Sequence, residues 1–391
     1  MPSRLRALLA LAFLTAALPA VANAQTPAPP QEAATAQGPD CFRPHRVQDG
    51  LAAGDPAMLG FDARALCALL REIDGSGVNL HSLLVLRHGR LVAELYRTGL
   101  DAGIYSLWRS STAFGPDALH DMRSVSKSVL GLTYGILMAK GKAPAVATPA
   151  ATLFPEYAEL ATPERRAIQI EHLLTMSSGL DWDEPSPIHR PSRDDQFPLA
   201  WKSSAYPFVF GRDMVASPGS RFVYSGGSTS VLAEIMTRSA GDDLRSIVRK
   251  ELFEPLGIAD WEWSANLRGA PIAFGGLRLK PRDLMKIGAT MLAGGVWQGR
   301  QIVPKSWIAR STRALIDTGD GGYGYQWWTS AFARNGKRLA AATALGNGGQ
   351  TLTLIPDLDL AVVTTAGEYN SPAIFPVMRN IVQKIVNTAR P

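Results

Sequence analysis

Strand-forming runs stand at the two ends of this chain with helical periodicity between them, and that distribution constrains the fold more than any other feature. His81-Ser82-Leu83-Leu84-Val85-Leu86 and Leu91-Val92-Ala93-Glu94-Leu95-Tyr96 flank a turn at His88-Gly89. Far downstream, Thr351-Leu352-Thr353-Leu354-Ile355 and Leu360-Ala361-Val362-Val363-Thr364-Thr365 flank Pro356-Asp357-Leu358-Asp359. Both pairs read as antiparallel hairpins, because short β-branched and apolar runs bounded by turn residues fit paired strands. Between and around them, apolar spacing predicts helices over 61–73, from Ser124 to Gly141, over 229–239, over 281–292 and over 372–388. The expected fold class is α+β, with an antiparallel sheet built from both chain ends and flanked by helices. Residues about 149–218 carry short helical stretches broken by proline, serine and aspartate loops, and read as a mostly helical lobe.

The first residues bear on location. Arg4 and Arg6 precede an apolar run from Ala7 to Ala20, and Ala22-Asn23-Ala24 supplies small residues at a cleavage position. This predicts a signal peptide over 1–24, cleaved after Ala24, and hence an exported, periplasmic protein with no stable membrane insertion after cleavage. Residues 25–40, rich in Pro, Ala and Gln, read as a flexible leader, and 41–388 as the folded domain. The net charge is +6, with basic residues scattered rather than striped, which gives no support for nucleic-acid binding. Cys41 and Cys67 are the only cysteines. Export would allow a disulfide between them, and the sequence leaves two free thiols equally open. The six histidines show no paired metal-ligand spacing, so a zinc mechanism is disfavoured and no metal or other cofactor is expected.

Ser124-Val125-Ser126-Lys127, the only Ser-x-x-Lys here, stands where an extended segment gives way to the apolar-rich helix. Residues three apart share a helix face, so the Lys127 amine can lie over the Ser124 hydroxyl. A serine hydroxyl needs a base to become a nucleophile, and a lysine in a dry pocket can supply one.

Three separated segments resemble the active-site motifs of serine hydrolases related to class C β-lactamases. They are Arg123-Ser124-Val125-Ser126-Lys127-Ser128, Pro218-Gly219-Ser220-Arg221-Phe222-Val223-Tyr224-Ser225-Gly226-Gly227 and Gly346-Asn347-Gly348-Gly349-Gln350. Between them, Leu173 to Trp182, Pro281-Arg282-Asp283-Leu284 and Tyr323-Gly324-Tyr325-Gln326-Trp327-Trp328 match that family in order and spacing. The resemblance implies a β-lactamase/transpeptidase-like fold and a cofactor-independent acyl-enzyme mechanism. Ser124 would be the nucleophile, Lys127 the amine that shares its proton, and Tyr224 the phenol that acts as base and then protonates the leaving group. The backbone N–H groups of Gln350 and Ser124 would form the oxyanion hole, with Asn347, Gly348 and Gly349 lining the substrate strand.

Two departures narrow this. The β-lactamases of the class carry Tyr-x-Asn and Lys-Thr-Gly, whereas this chain has Tyr224-Ser225-Gly226 and Asn347-Gly348-Gly349. Asn347 offers no cation to hold a substrate carboxylate, so the pattern looks closer to the family's esterases and amidases, including 6-aminohexanoate-dimer hydrolases. The expected partner is therefore a small-molecule ester or amide. Asp181, Trp182, Asp183 and Glu184, together with Tyr323, Tyr325, Trp327 and Trp328, are candidate pocket walls, with core tryptophans and turn-capping acids the equal alternative, and Arg123 reads as structural. Two further readings are a D-amino-acid peptidase or weak β-lactamase acting on cell-wall material, and a penicillin- or cell-wall-binding module without turnover.

Overall fold

The computed structural model describes residues 41–104, 106, 108–186 and 192–390, so the expected signal peptide and leader lie outside the described residues. Its centre is a nine-stranded sheet. The order runs Ala52–Ala53, Arg90–Tyr96, Leu80–Arg87, Leu360–Ala366, Gln350–Ile355, Lys337–Gly346, Trp328–Arg334, Gly322–Tyr323, Ile316–Asp317. Every neighbouring pair is antiparallel except the outermost, where Ala52–Ala53 runs parallel to Arg90–Leu91. Strands from the two chain ends therefore meet in mid-sheet. Leu83 pairs with Thr364 and Val85 with Val362, and the hydroxyls of Ser82 and Thr365, 283 residues apart, share a hydrogen bond of 2.6 Å.

The central strands are buried along their whole length because both sheet faces are covered. Successive side chains point to opposite faces. Leu83 and Val85 join a cluster with Leu66, Leu70, Ile381 and Ile385 from helices Ala63–Asp74 and Ile374–Thr388. Leu84 and Leu86 join the larger core with Val129 and Leu132 of helix Val125–Ala139, and with Leu284 and Ile287 of helix Pro281–Leu292. Local chemistry sets the ends of these elements. The Asp62 carboxylate accepts from the backbone N–H groups of Arg64 and Ala65 at the start of the first helix. His88 and Gly89 both adopt positive φ in the two-residue loop of the first hairpin.

One hairpin departs from the sequence reading. Trp328–Arg334 and Lys337–Gly346 are paired strands that the apolar pattern does not mark. The second reads Lys-Arg-Leu-Ala-Ala-Ala-Thr-Ala-Leu-Gly, and alanine has low strand propensity. Its signal is the turn: Asn335 and Gly336, both at positive φ, form the two-residue loop that Asn-Gly favours.

Between 149 and 218 the helices are short, at Ala150–Leu153, Pro155–Leu160, Pro163–Arg166, Ile170–Leu174, Phe197–Trp201 and Tyr206–Phe210. The question left open at the cysteines has an answer: Cys41 and Cys67 form a disulfide with their Cα atoms 5.2 Å apart. It ties the start of the described chain to helix Ala63–Asp74. Closing a loop of this size contributes about 3 kcal/mol by the chain-entropy estimate.

Candidate active site

Ser124 immediately precedes helix Val125–Ala139, and Arg123 before it adopts φ +49°. A positive φ at a bulky residue costs about 1–3 kcal/mol and persists where surrounding contacts enforce it. Here the Arg123 guanidinium donates to the Ala102 carbonyl at 2.7 Å, lies 3.5 Å from the Asp121 carboxylate and stacks 4.3 Å from the centre of the Tyr369 ring. Arg123 therefore braces the turn that presents Ser124, and it also reaches the cavity wall.

The helix spacing brings Lys127 onto Ser124. The Lys127 Nζ donates to Ser124 Oγ at 3.0 Å and to the Phe274 carbonyl at 3.2 Å. Its side chain is buried, and its ammonium sits 4.6 Å from the centre of the Tyr224 ring. Tyr224 packs with Met176 and Tyr323 and tilts against Trp328, just before helix Gly226–Ala240. Ser225 caps that helix by accepting from the Ser228 N–H at 3.0 Å. Ser124, Lys127 and Tyr224, a hundred residues apart in sequence at their extremes, thus converge at the starts of two helices.

The third segment closes the other side. A side chain at Gly346 would put its Cβ 2.3 Å from the Met122 carbonyl oxygen, so strand Lys337–Gly346 ends pressed on the backbone that leads to Ser124. Gly348 and Gly349 follow at φ +99° and +102°, and a Cβ at Gly348 would lie 2.5 Å from the Tyr369 ring. Glycine is required at these positions for both backbone angle and space. The Asn347 amide is committed: its Nδ2 donates to Asn370 Oδ1, and its Oδ1 accepts from the Asn370 N–H, both at 2.7 Å. The Gln350 side chain is buried, with its amide paired to the backbone of Ala366.

A cavity of about 610 Å³ opens beside Ser124. Ser124, Arg123 and Asn347 reach it, and Phe274, Ile272, Phe197 and Leu199 supply apolar wall. The expected aromatic walls require correction. Trp327 is 1% exposed and packs in the main core. Trp182 is also buried, with its ring covering Gly227, where a Cβ would fall 2.7 Å from the indole. Asp181 pairs with Arg193 at 2.6 Å, and neither Asp181 nor Trp182 lines the cavity. Gly348, Gly349 and Gln350 are not among the residues that line it.

Two residues outside the expected core of the site carry more than their sequence signal. Gln326, at φ +64°, fastens three elements together: its carbonyl accepts from Ser128 Oγ at 2.6 Å, its side-chain oxygen from Thr229 at 2.9 Å, and its amide donates to the Leu173 and Leu174 carbonyls. Glu184, read from sequence as a wall residue, is fully buried, with Oε1 3.7 Å from Lys127 Nζ. Burial pushes its carboxyl pKa upward, against the opposing pull of Lys127 and of donors from Gly226, Trp182 and Gln196. The adjacent glycines Gly226 and Gly227 at a helix start were the available sign that something approaches closely there.

Comparison with known proteins agrees with this architecture. The family model described as Beta-lactamase matches residues 69–375, and the chain belongs to that family, as a serine hydrolase. It is 28% identical over 302 residues to the 6-aminohexanoate-dimer hydrolase of Paenarthrobacter ureafaciens, covering 72% of this chain and 71% of the relative. Among solved structures, EstCE1, described as a hydrolase with promiscuous acyltransferase activity, superposes with a TM-score of 0.60 at 16% identity, covering 82% of this chain and 97% of its own. The octameric penicillin-binding protein homologue from Pyrococcus abyssi gives 0.58 at 18%, covering 83% and 78%. At these identities the structures show the fold.

Proposed function

We propose that this chain is an exported esterase or amidase that acylates Ser124 with a small carboxylic ester or amide and releases the acyl group to water. The observation that carries the reading is the 3.0 Å contact from the buried Lys127 Nζ to Ser124 Oγ at the edge of the cavity. In the first step the Ser124 proton passes to the Lys127–Tyr224 pair as Oγ bonds the carbonyl carbon, and the carbonyl electron pair moves onto oxygen. The N–H groups of Ser124 and Gln350 hold that oxyanion, an interaction made only in the transition state. Losing one such donor costs about 3 kcal/mol. Collapse expels the alcohol or amine, which takes a proton from Tyr224, and water then reverses the sequence at the acyl-enzyme.

The apolar cavity wall supports an apolar acyl group. The commitment of Asn347 to Asn370 supports the view that this corner does not recognise a substrate carboxylate. Export to the periplasm, with cleavage after Ala24, completes the proposal. The test is intact-mass spectrometry after a fluorophosphonate probe, with p-nitrophenyl butyrate hydrolysis followed in parallel, on the wild type and Ser124→Ala. Labelling and turnover lost only in the variant are expected. A wild type that neither labels nor turns over would sink the reading in favour of a binding module.

A further inference from the structure

Position 226 holds glycine where Tyr-x-Asn β-lactamases carry an amide side chain, and the space beside it is not empty. A Cβ at Gly226 would lie 2.9 Å from Glu184 Oε2, 2.9 Å from Gln196 Nε2 and 3.1 Å from the Phe274 ring. The Glu184 carboxylate is fixed there by three donors. Oε2 accepts from the Trp182 indole N–H and the Gly226 N–H, both at 2.6 Å, and Oε1 accepts from the Gln196 amide at 2.6 Å. The Gly226 N–H belongs to the first turn of a 15-residue helix, whose N-terminus favours a negative charge. Beyond these donors, Oε1 faces Lys127 Nζ at 3.7 Å, with Tyr224 and Tyr323 completing the titratable surroundings.

We propose that Glu184 is a positioning residue for Lys127: from the space left by the missing side chain at 226, its anchored carboxylate holds the amine under Ser124 and sets the amine's charge. This rests on the hydrolase reading above and deepens it by naming the group that tunes its base. Several facts converge. Lys127 is buried and has few places to go: its ammonium meets Ser124 Oγ, the Phe274 carbonyl and ring, the Tyr224 ring and Glu184. Glu184 has no face on the cavity, so it acts through Lys127 rather than on substrate. Two of its three anchors, Trp182 and Gly226, come from segments that meet only because Gly226 and Gly227 lack side chains. An opposite charge within 4–6 Å shifts an ionisable group by about one to three pH units toward its charged form. Removing the Glu184 charge therefore takes away an opposite charge 3.7 Å from the amine.

Glu184→Gln keeps the size of the side chain and an oxygen for Trp182 and Gly226 while removing the charge. The amine is read directly, by 13C NMR titration of the Lys127 side chain in lysine-labelled protein, with the resonance assigned from Lys127→Arg. In Glu184→Gln the Lys127 signal is expected to change at lower pH than in the wild type. For p-nitrophenyl butyrate, the pH profile of kcat should move in the same direction with KM within about twofold, since only the base is touched. Glu184→Asp, which restores the charge, should return the midpoint toward that of the wild type. A folded Glu184→Gln with an unmoved Lys127 titration overturns the proposal. Should that variant not fold, Gly226→Ala serves instead: its methyl presses on the carboxylate, and an unmoved midpoint there overturns the proposal equally. The titration uses no substrate, so a wild type without turnover or probe labelling sinks the hydrolase reading and leaves the Lys127–Glu184 coupling to be judged on its own midpoint.

Discussion

On the side of the site where strand Lys337–Gly346 meets Met122, backbone presses on backbone and no side chain fits between; on the opposite side, where Trp182 and Glu184 meet the start of helix Gly226–Ala240, the contact runs through a buried carboxylate. The first is steric. It should be indifferent to pH and salt and intolerant of any added atom, because packed interiors yield little. The second is closely packed too, but it is also electrostatic and sensitive to a single charge. Ser124 sits between them, braced by one flank and, in the mechanism we propose, activated from the other.

The strongest way to break this comparison is at the atom on which both flanks converge. Ser124→Ala should reduce p-nitrophenyl butyrate hydrolysis by about 10⁴-fold or more while circular dichroism and melting stay native. Substantial surviving turnover would mean that the flanks frame something else. Next comes the steric side. Gly346→Ala forces a methyl against the Met122 carbonyl and should cost about 3 kcal/mol in urea melts, with the same loss at pH 6 and pH 8. A loss that varies with pH would mean the strand end is not the rigid partner described.

A third test uses the buried histidine four residues before Ser124. His120 stacks on Phe114 at 4.4 Å, and its Nε2 has no hydrogen-bond partner among the described residues. Burial, with smaller contributions from His81 and Arg278, pushes its pKa down to about 3. The folded state then binds fewer protons than the unfolded state between that value and the ordinary 6.5. Stability is accordingly whole above about 6.5 and is lost as pH falls toward 3, by up to about 1.4 kcal/mol per pH unit. His120→Phe should flatten that acid slope in thermal melts. An unchanged slope would assign the acid lability elsewhere, with neighbouring His81, also lowered chiefly by burial, the next group to replace. The smallest effect is expected far from both flanks. The exposed Lys384–Glu72 pair joins the two terminal helices, and Glu72→Ala should change stability by no more than about 0.5 kcal/mol, giving a baseline for the others.

What could be read from sequence follows the range of the interaction. Ser124 and Lys127 share one turn of helix, so their pairing is a local rule, and the hairpins around His88-Gly89 and Pro356 to Asp359 carry their own turns. The hairpin at Asn335-Gly336 was equally local, but its alanine-rich second strand hides the period that the turn announces. The wall aromatics stayed open between two readings for a different reason. Trp182 and Trp327 flank motifs, and a large aromatic beside a motif can face the pocket or the core; only the direction of the backbone decides. The Glu184–Lys127 approach obeys no spacing rule at all. It depends on two helix starts and an irregular loop arriving together, and its single trace in the sequence is a pair of glycines where a helix would ordinarily avoid them.

The bond between Ser82 and Thr365 reaches beyond the site. The strand that links the two halves of the sheet lies far downstream of its partner, with Thr365 283 residues after Ser82, so an emerging chain holds an unpaired Leu80–Arg87 edge until Leu360–Ala366 appears. Such a chain cannot fold as it is made, segment by segment, and its contact order favours a slow, late closure. A form lacking Leu360–Ala366 would carry Ser124, Lys127 and Glu184 intact and still leave the two halves of the sheet unjoined, making that strand a gate on whether the molecule closes or aggregates.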